Sequence, residues 1–264
     1  MFKQDLTRLF AAVLICTSIF GLSDYGIFET EVSAIEETEA VFGWYTKPSK
    51  DGVRPPLPSE ASFIEKYDAC YIGRDEKVIY LTFDAGYSNE NLIKVLDVLK
   101  EKDVKASFFL NGGIFKYESD AVKRIHGDGH LVCNHTENHK NMSNVSDFET
   151  YKYEVEKVAE RFRELTGDEM GRFLRPPMGE FNEKSLEYNK QLGYKTVFWS
   201  LAYADWDNNK QPDCEKAFNT VMERTHNGAI ILLHPTSATN AKILGRLIDA
   251  WREQGYSFET LETL

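Results

Sequence analysis

Cysteine is scarce in this chain: Cys16, Cys70, Cys133 and Cys214 are the four in 264 residues, and none forms a C-x-x-C pair. Both a disulfide framework and a zinc knuckle are thereby excluded. Cys133, inside an apolar run, reads as a small core residue. Phosphate-binding loops are missing as well. No G-x-G-x-x-G follows the first strand and no Walker sequence occurs, so dinucleotide and nucleotide readings lose their support. Positive charge is in deficit, 31 Lys and Arg against 42 Asp and Glu, for a net charge of −11. A chain this acidic lacks the basic surface that nucleic-acid phosphates need. The N-terminal apolar run, Leu9 to Leu22, falls short of the roughly 20 residues of a membrane span. Placed behind Lys3 and Arg8, it suits the core of a signal peptide, with Val32-Ser33-Ala34 as a cleavage site. That site lies far from the apolar core, so export with cleavage and an uncleaved anchor both stay open. Cys16, preceded by Ile15, is a poor match to a lipoprotein site.

What is present is a folded protein: 42% hydrophobic and 28% charged residues fit a globular chain and not a disordered one. Residues 1–34 read as the signal peptide or anchor. Residues 35–75, with the Pro55-Pro56-Leu57-Pro58 cluster, read as an extended arm, because such prolines prevent regular structure. Residues 76–264 carry the regular pattern. Val78 to Phe83 is rich in β-branched and aromatic residues and predicts a buried strand. Asn89–Lys102 places Leu92, Val95, Leu96 and Leu99 on one helical stripe. Strands at 105–110, 130–134, 172–174, 195–200, 229–233 and 257–261 then alternate with helices at 119–126, 147–165, 183–192, 213–226 and 239–254. This alternation predicts an α/β fold with a parallel sheet, a distorted (β/α) barrel of about seven strands.

The polar residues after these strands form a series. Asp84 follows the first, Asn111 the second, His135 the third, Arg175 the fourth, Asp205-Trp206 the fifth and His234 the sixth. In a parallel barrel the strand ends share one face, where catalytic groups are built. A lone strand-end Asp is more often a helix cap, here for the helix beginning near Asn89. Its counterparts along the chain reverse those odds. Burial at a strand end raises a carboxylate's pKa and would suit Asp84 to proton transfer near neutral pH, with Gly86 freeing the backbone to turn.

His135-Thr136-Glu137-Asn138-His139 spaces two histidines four apart. On a helical turn they face the same way and can hold one divalent metal, with Thr136 as a cap. Two exposed histidines that happen to be four apart are the bland alternative, weakened by the strand-end placement and by a total of only six His. His234, at the mouth of an apolar strand, is a candidate proton donor or a histidine hydrogen-bonded into the rim. Arg175, stiffened by Pro176-Pro177, is suited to hold Asp84 in place and ionised. Asp205 would orient a rim histidine or Arg175, and Trp206 is read as core rather than as a sugar platform. A base, a metal with open positions, a fixed Arg and a separate acid form a set for amide hydrolysis. Water attacks the carbonyl while Asp84 takes its proton, the metal stabilises the oxyanion, and His234 protonates the leaving amine.

At Thr82-Phe83-Asp84-Ala85-Gly86-Tyr87, His135-Thr136-Glu137-Asn138-His139, Arg175-Pro176-Pro177-Met178-Gly179, Asp205-Trp206 and Leu232-Leu233-His234, the chain resembles the polysaccharide deacetylases of carbohydrate esterase family 4 (NodB homology). The resemblance spans roughly residues 78–264. It implies a distorted (β/α) barrel that removes N-acetyl groups from amino sugars. It also implies Asp84 as base, His135 and His139 as ligands of a divalent metal, with Zn²⁺ expected, and His234 as acid. A narrower resemblance is to the muramic-acid deacetylases of spore-forming bacteria, which act in δ-lactam formation in cortex peptidoglycan. It rests on Lys66-Tyr67-Asp68-Ala69, Tyr71-Ile72-Gly73, Trp44 and Val197-Phe198-Trp199-Ser200. The partner implied is a peptidoglycan glycan strand, with membrane contact only through an uncleaved N-terminal segment. Most of the family has Asp-Asp in the first motif, the second Asp ligating metal; here that residue is Ala85, which cannot ligate. A deacetylase of N-acetylglucosamine in peptidoglycan or chitin is the near alternative. A glycan-binding module without catalysis is the distant one, motivated by Ala85 alone.

Overall fold

From residue 78 onward strands and helices alternate in the computed structural model, which describes residues 40–264. The strands are β1 (Phe42–Gly43), β2 (Ala69–Cys70), β3 (Val78–Ala85), β4 (Ser107–Leu110), β5 (Leu131–Asn134) and β6 (Phe173–Leu174). They continue with β7 (Glu180–Phe181), β8 (Lys195–Val197), β9 (Leu201–Ala202), β10 (Ala229–Leu233) and β11 (Ser257–Phe258). The helices are α1 (Glu90–Glu101), α2 (Gly112–Tyr117), α3 (Ser119–Gly127), α4 (Phe148–Thr166), α5 (Glu183–Gln191), α6 (Cys214–Arg224) and α7 (Ala238–Glu253). The N-terminal apolar run and the Val32-Ser33-Ala34 site lie outside the described residues. Among the described residues, no helix is long and apolar enough to cross a membrane.

The main sheet runs β2-β8-β6-β5-β4-β3-β10-β9, with β11 also on β3, and every pairing in it is parallel. All eight residues of β3 are buried, as expected of a central parallel strand covered on both faces. Ile79, Leu81 and Phe83 pack outward in one cluster with Leu92, Val95, Leu96 and Leu99 of α1 and with α7. Val78 and Tyr80 point the other way and join Phe109, Cys133, Val197 and Ile230 inside the curl. The three cysteines of the described residues are free.

One stretch curls the sheet round. The sequence predicts a single strand over 195–200, but the ladder breaks at Phe198–Ser200, and the stretch changes neighbours. Its first half, β8, pairs with β2 and β6, and its second half, β9, pairs with β10. Across the break Phe198 N–H donates to Cys70 O and Ser200 N–H to Ile230 O. The result is the distorted (β/α) barrel that the alternation predicts. Helix α2 was not expected, since Gly112 and Gly113 oppose helix formation. Asn111 starts it by accepting Gly113 N–H at 2.8 Å, so Asn111 is a cap and not a member of the site.

Residues 40–68 pack onto the barrel, and β2 then joins its sheet beside β8. β1 pairs antiparallel with β7. Trp44 stacks on Phe198 at 4.3 Å between ring centroids and donates its indole N–H to Trp199 O at 2.9 Å. With Ala61, Ile64, Phe181 and Leu186 it forms a separate apolar cluster that brings the arm to the rim.

Candidate active site

Asp84 is the penultimate residue of β3 and is buried, and its Oδ1 accepts from Arg175 Nη1 at 2.7 Å. The turn beyond it differs from expectation. Gly86 does not adopt a left-handed backbone; it is required because a Cβ there would lie 2.4 Å from the Asn111 side-chain nitrogen. Arg175 leaves β6 and is fully buried at 0% exposure, so it is no surface ion pair. Its Nε donates to Val197 O and its Nη2 to Phe198 O, both at 3.1 Å, while the guanidinium lies over the Phe109 ring at 4.1 Å. This corrects the expected basicity of Asp84. Burial alone would raise its pKa, but the Arg175 charge, aided by His135 and His234, outweighs burial and holds it below the usual carboxylate range.

His135 and His139 do meet, with ring centroids 4.9 Å apart, but not on a helical turn. Residues 135–140 form a loop in which Thr136 (φ 65°) and His139 (φ 52°) take left-handed conformations. Thr136 caps nothing. Its N–H donates to Asn134 Oδ1 at 2.9 Å, and its buried hydroxyl has no hydrogen-bond partner. Glu154 of α4 secures the loop instead, accepting Asn138 N–H and the Asn138 side-chain amide at 2.8 Å each. Arg161 also grips Glu137.

His234 follows β10 and donates Nδ1–H to Asp205 Oδ1 at 2.7 Å, and its backbone N–H reaches Asp205 Oδ2 at 2.8 Å. Asp205 is buried behind it, 1% exposed. Burial would lower the His234 pKa, but the hydrogen bond and charge of Asp205 outweigh this and raise it above the ordinary imidazole value. Sequence reading missed Asn240 of α7, which carries no motif signal. Its side-chain amide donates to Asp205 Oδ2 and to His234 O, and its carbonyl accepts from Tyr203 OH.

Asp84, His135, His139 and His234 all line one cavity of about 670 Å³. Arg175 and Asp205 are not in its lining; they position the residues that are. Trp44, Tyr45, Thr46 and Pro48 of the arm form part of the wall, which proline punctuation alone did not foretell. Trp206, read as core, is 66% exposed and stands at the cavity, where an aromatic face can meet a sugar ring. Met178 also lines it, in a left-handed conformation (φ 59°) that an unbranched residue rarely adopts.

A family model described as polysaccharide deacetylase matches residues 72–197. Over 204 residues the chain is 41% identical to the peptidoglycan-N-acetylmuramic acid deacetylase PdaA of Bacillus subtilis, covering 77% of each protein. The chain belongs to the polysaccharide deacetylase family. The solved structure of Bacillus subtilis PdaA, a family 4 carbohydrate esterase, superposes on this deacetylase with a TM-score of 0.81 and 39% identity, covering 85% of this chain and 96% of that one. A peptidoglycan-N-acetylglucosamine deacetylase of Bacillus cereus is 33% identical over 208 residues, 77% of this chain and 74% of that protein.

Deacetylases of this family are in general metal-dependent. His135 and Asp84 test whether such an ion fits here. His135 donates Nδ1–H to Arg175 O at 2.8 Å, so its Nε2 is a lone pair. Burial, its largest influence, lowers the pKa of this imidazole to about 4, so the ring is neutral at pH 7. His139 is shifted down by the same cause. Asp84 Oδ2 lies 3.8 Å from His135 Nε2. Two acceptors this close call for a cation or a proton donor between them. The donors therefore fit a divalent ion held by His135 and His139 with its other positions open. Among the described residues, no group of three or more His, Cys, Asp or Glu side chains is disposed to hold a metal, consistent with Ala85 in the first motif. Such an ion would polarise the acetamide carbonyl and stabilise the oxyanion. The chain's own groups can do the rest: Asp84 is placed at the cavity to accept a proton from an attacking water, and His234 to deliver one to a leaving amine nitrogen.

Proposed function

We propose that this deacetylase is exported and removes the N-acetyl group of N-acetylmuramic acid in peptidoglycan, in the formation of muramic δ-lactam in the spore cortex. The observation that carries the reading is the pairing of a buried, ionised Asp84 with an Asp205-backed His234 across one cavity that also holds two neutral imidazoles. The choice of sugar is supported by 41% identity to a muramic acid deacetylase, against 33% to a glucosamine deacetylase. Hydrolysis depends on a divalent metal, Zn²⁺ being the expected ion for two imidazole ligands with open positions. Export rests on the Leu9–Leu22 run behind Lys3 and Arg8.

Mass spectrometry of muropeptides tests this directly. The full chain is incubated with peptidoglycan, with and without Zn²⁺, and the products are digested to disaccharides. Loss of acetyl from the muramic acid residue is the expected result. Loss from glucosamine would transfer the activity to the alternative sugar. Glycan binding with no acetate release and no Zn²⁺ uptake would leave only a binding module.

A further inference from the structure

Arg224, the last residue of α6, lines the catalytic cavity. Its Nη1 donates to Ala202 O of β9 at 3.2 Å, and among the described residues the guanidinium has no ion-pair partner. The neighbouring Glu223 is engaged elsewhere, by Lys50 at 2.6 Å. Four of the five N–H donors of this cation are thus available, in a chain whose net charge of −11 would ordinarily supply a carboxylate.

Strand register fixes how far this cation lies from the chemistry. Ala202 is opposite Leu232 in the parallel β9–β10 ladder, and Leu232 lies two residues before His234. At a rise of about 3.3 Å per residue, the anchored guanidinium sits about 7 Å along the sheet from the position of the catalytic imidazole, one strand over. That separation is on the scale of one pyranose ring with its substituents. Ala202, Tyr203 and Leu232, which line the same cavity, carry no charge that would compete for the cation.

We propose that Arg224 is a carboxylate subsite, which takes the lactyl carboxylate of an N-acetylmuramic acid residue while the acetamide of that residue lies between Asp84 and His234. The proposal rests on the muramic acid reading above. A planar guanidinium with free N–H groups matches a carboxylate in two-point fashion. A neutral amino sugar offers it nothing comparable, so the subsite favours acidic over neutral glycan.

The test compares three glycans of equal length: one with free lactyl carboxylates, one with those carboxylates reduced to alcohols, and one still bearing stem peptides. kcat and KM are measured with the full-length wild type, Arg224→Gln and Arg224→Lys. The ratio of kcat/KM for the acidic over the reduced glycan is independent of how much enzyme is folded. In Arg224→Gln this ratio is expected to fall about tenfold, mainly through KM, the scale of one hydrogen-bonded charge pair, while Arg224→Lys keeps part of it. An unchanged ratio overturns the proposal. So does a fall confined to the peptide-bearing glycan, which would assign the anion to the stem. Failure of the muramic acid reading is separately visible: wild type would then release acetyl only from glucosamine, whatever stands at position 224.

Discussion

His234 and Asp205 are joined twice, through Nδ1–H to one carboxylate oxygen at 2.7 Å and through the backbone N–H to the other at 2.8 Å. These two hydrogen bonds fix both the tautomer and the placement of the imidazole and leave Nε2 free to carry a proton toward the cavity. It also raises the His234 pKa against the opposing effect of burial. Removing the charge in Asp205→Asn should therefore shift the alkaline limb of the kcat/KM–pH profile to lower pH and reduce the rate by about 10²-fold or more. Because the folded pKa is raised, the pair's stabilisation is fully present below the unfolded value of about 6.5 and fades as pH rises through the folded value. An alkaline limb that stays in place in the variant would remove His234 from the role of acid.

Arg175 offsets the burial of Asp84. In Arg175→Met a buried carboxylate loses its partner, and a loss of about 3–5 kcal/mol is expected in urea unfolding at pH 7. The Asp84 pKa then rises, because burial is left unopposed. Wild type and variant should converge in stability as pH falls, because the variant's buried carboxylate, with its pKa raised, takes a proton first and loses its penalty, whereas the wild-type contribution fades only below the unfolded carboxylate value. A deficit constant from pH 7 to pH 4 would show that packing alone is lost.

His234→Ala should abolish turnover while Zn²⁺ content stays intact, since the observed partner of the imidazole is Asp205. His135→Ala and His139→Ala should each lose Zn²⁺ affinity by at least about tenfold in isothermal titration. Loss of metal in His234→Ala would exchange these roles.

Ala85→Asp adds an oxygen donor beside Asp84, and tighter Zn²⁺ binding is the expected outcome. Ala85 is buried and packed with the outward apolar cluster, so a fall in melting temperature should accompany the gain. Unchanged affinity with the same loss of stability would mean that a side chain at 85 turns into that apolar layer.

Trp44 joins the arm to the barrel. Trp44→Ala removes the stack on Phe198 and the indole hydrogen bond to Trp199 O, and about 3–5 kcal/mol of stability with them. Since Trp44 also lines the cavity, KM should rise more than kcat falls. Full activity with unchanged KM would separate the arm from the site.

The sequence by itself determined the alternation of strands and helices and the rim series Asp84, His135, Arg175, Asp205 and His234. Both are written in local pattern: period, strand-end position and spacing. It could not determine the Asp84 pKa, because burial and Arg175 act in opposite directions and only their distance decides the winner. The His135–His139 loop was likewise out of reach. It is held by Glu154 of α4 through Asn138, a contact that no four-residue spacing encodes. Asn240, Arg224 and the arm at Trp44 came to the site through tertiary packing alone, and the same packing put Trp206 at the cavity instead of the core. Side chains separated by tens of residues share a cavity only when the sheet has curled, and the curl depends on one broken strand at Phe198–Ser200.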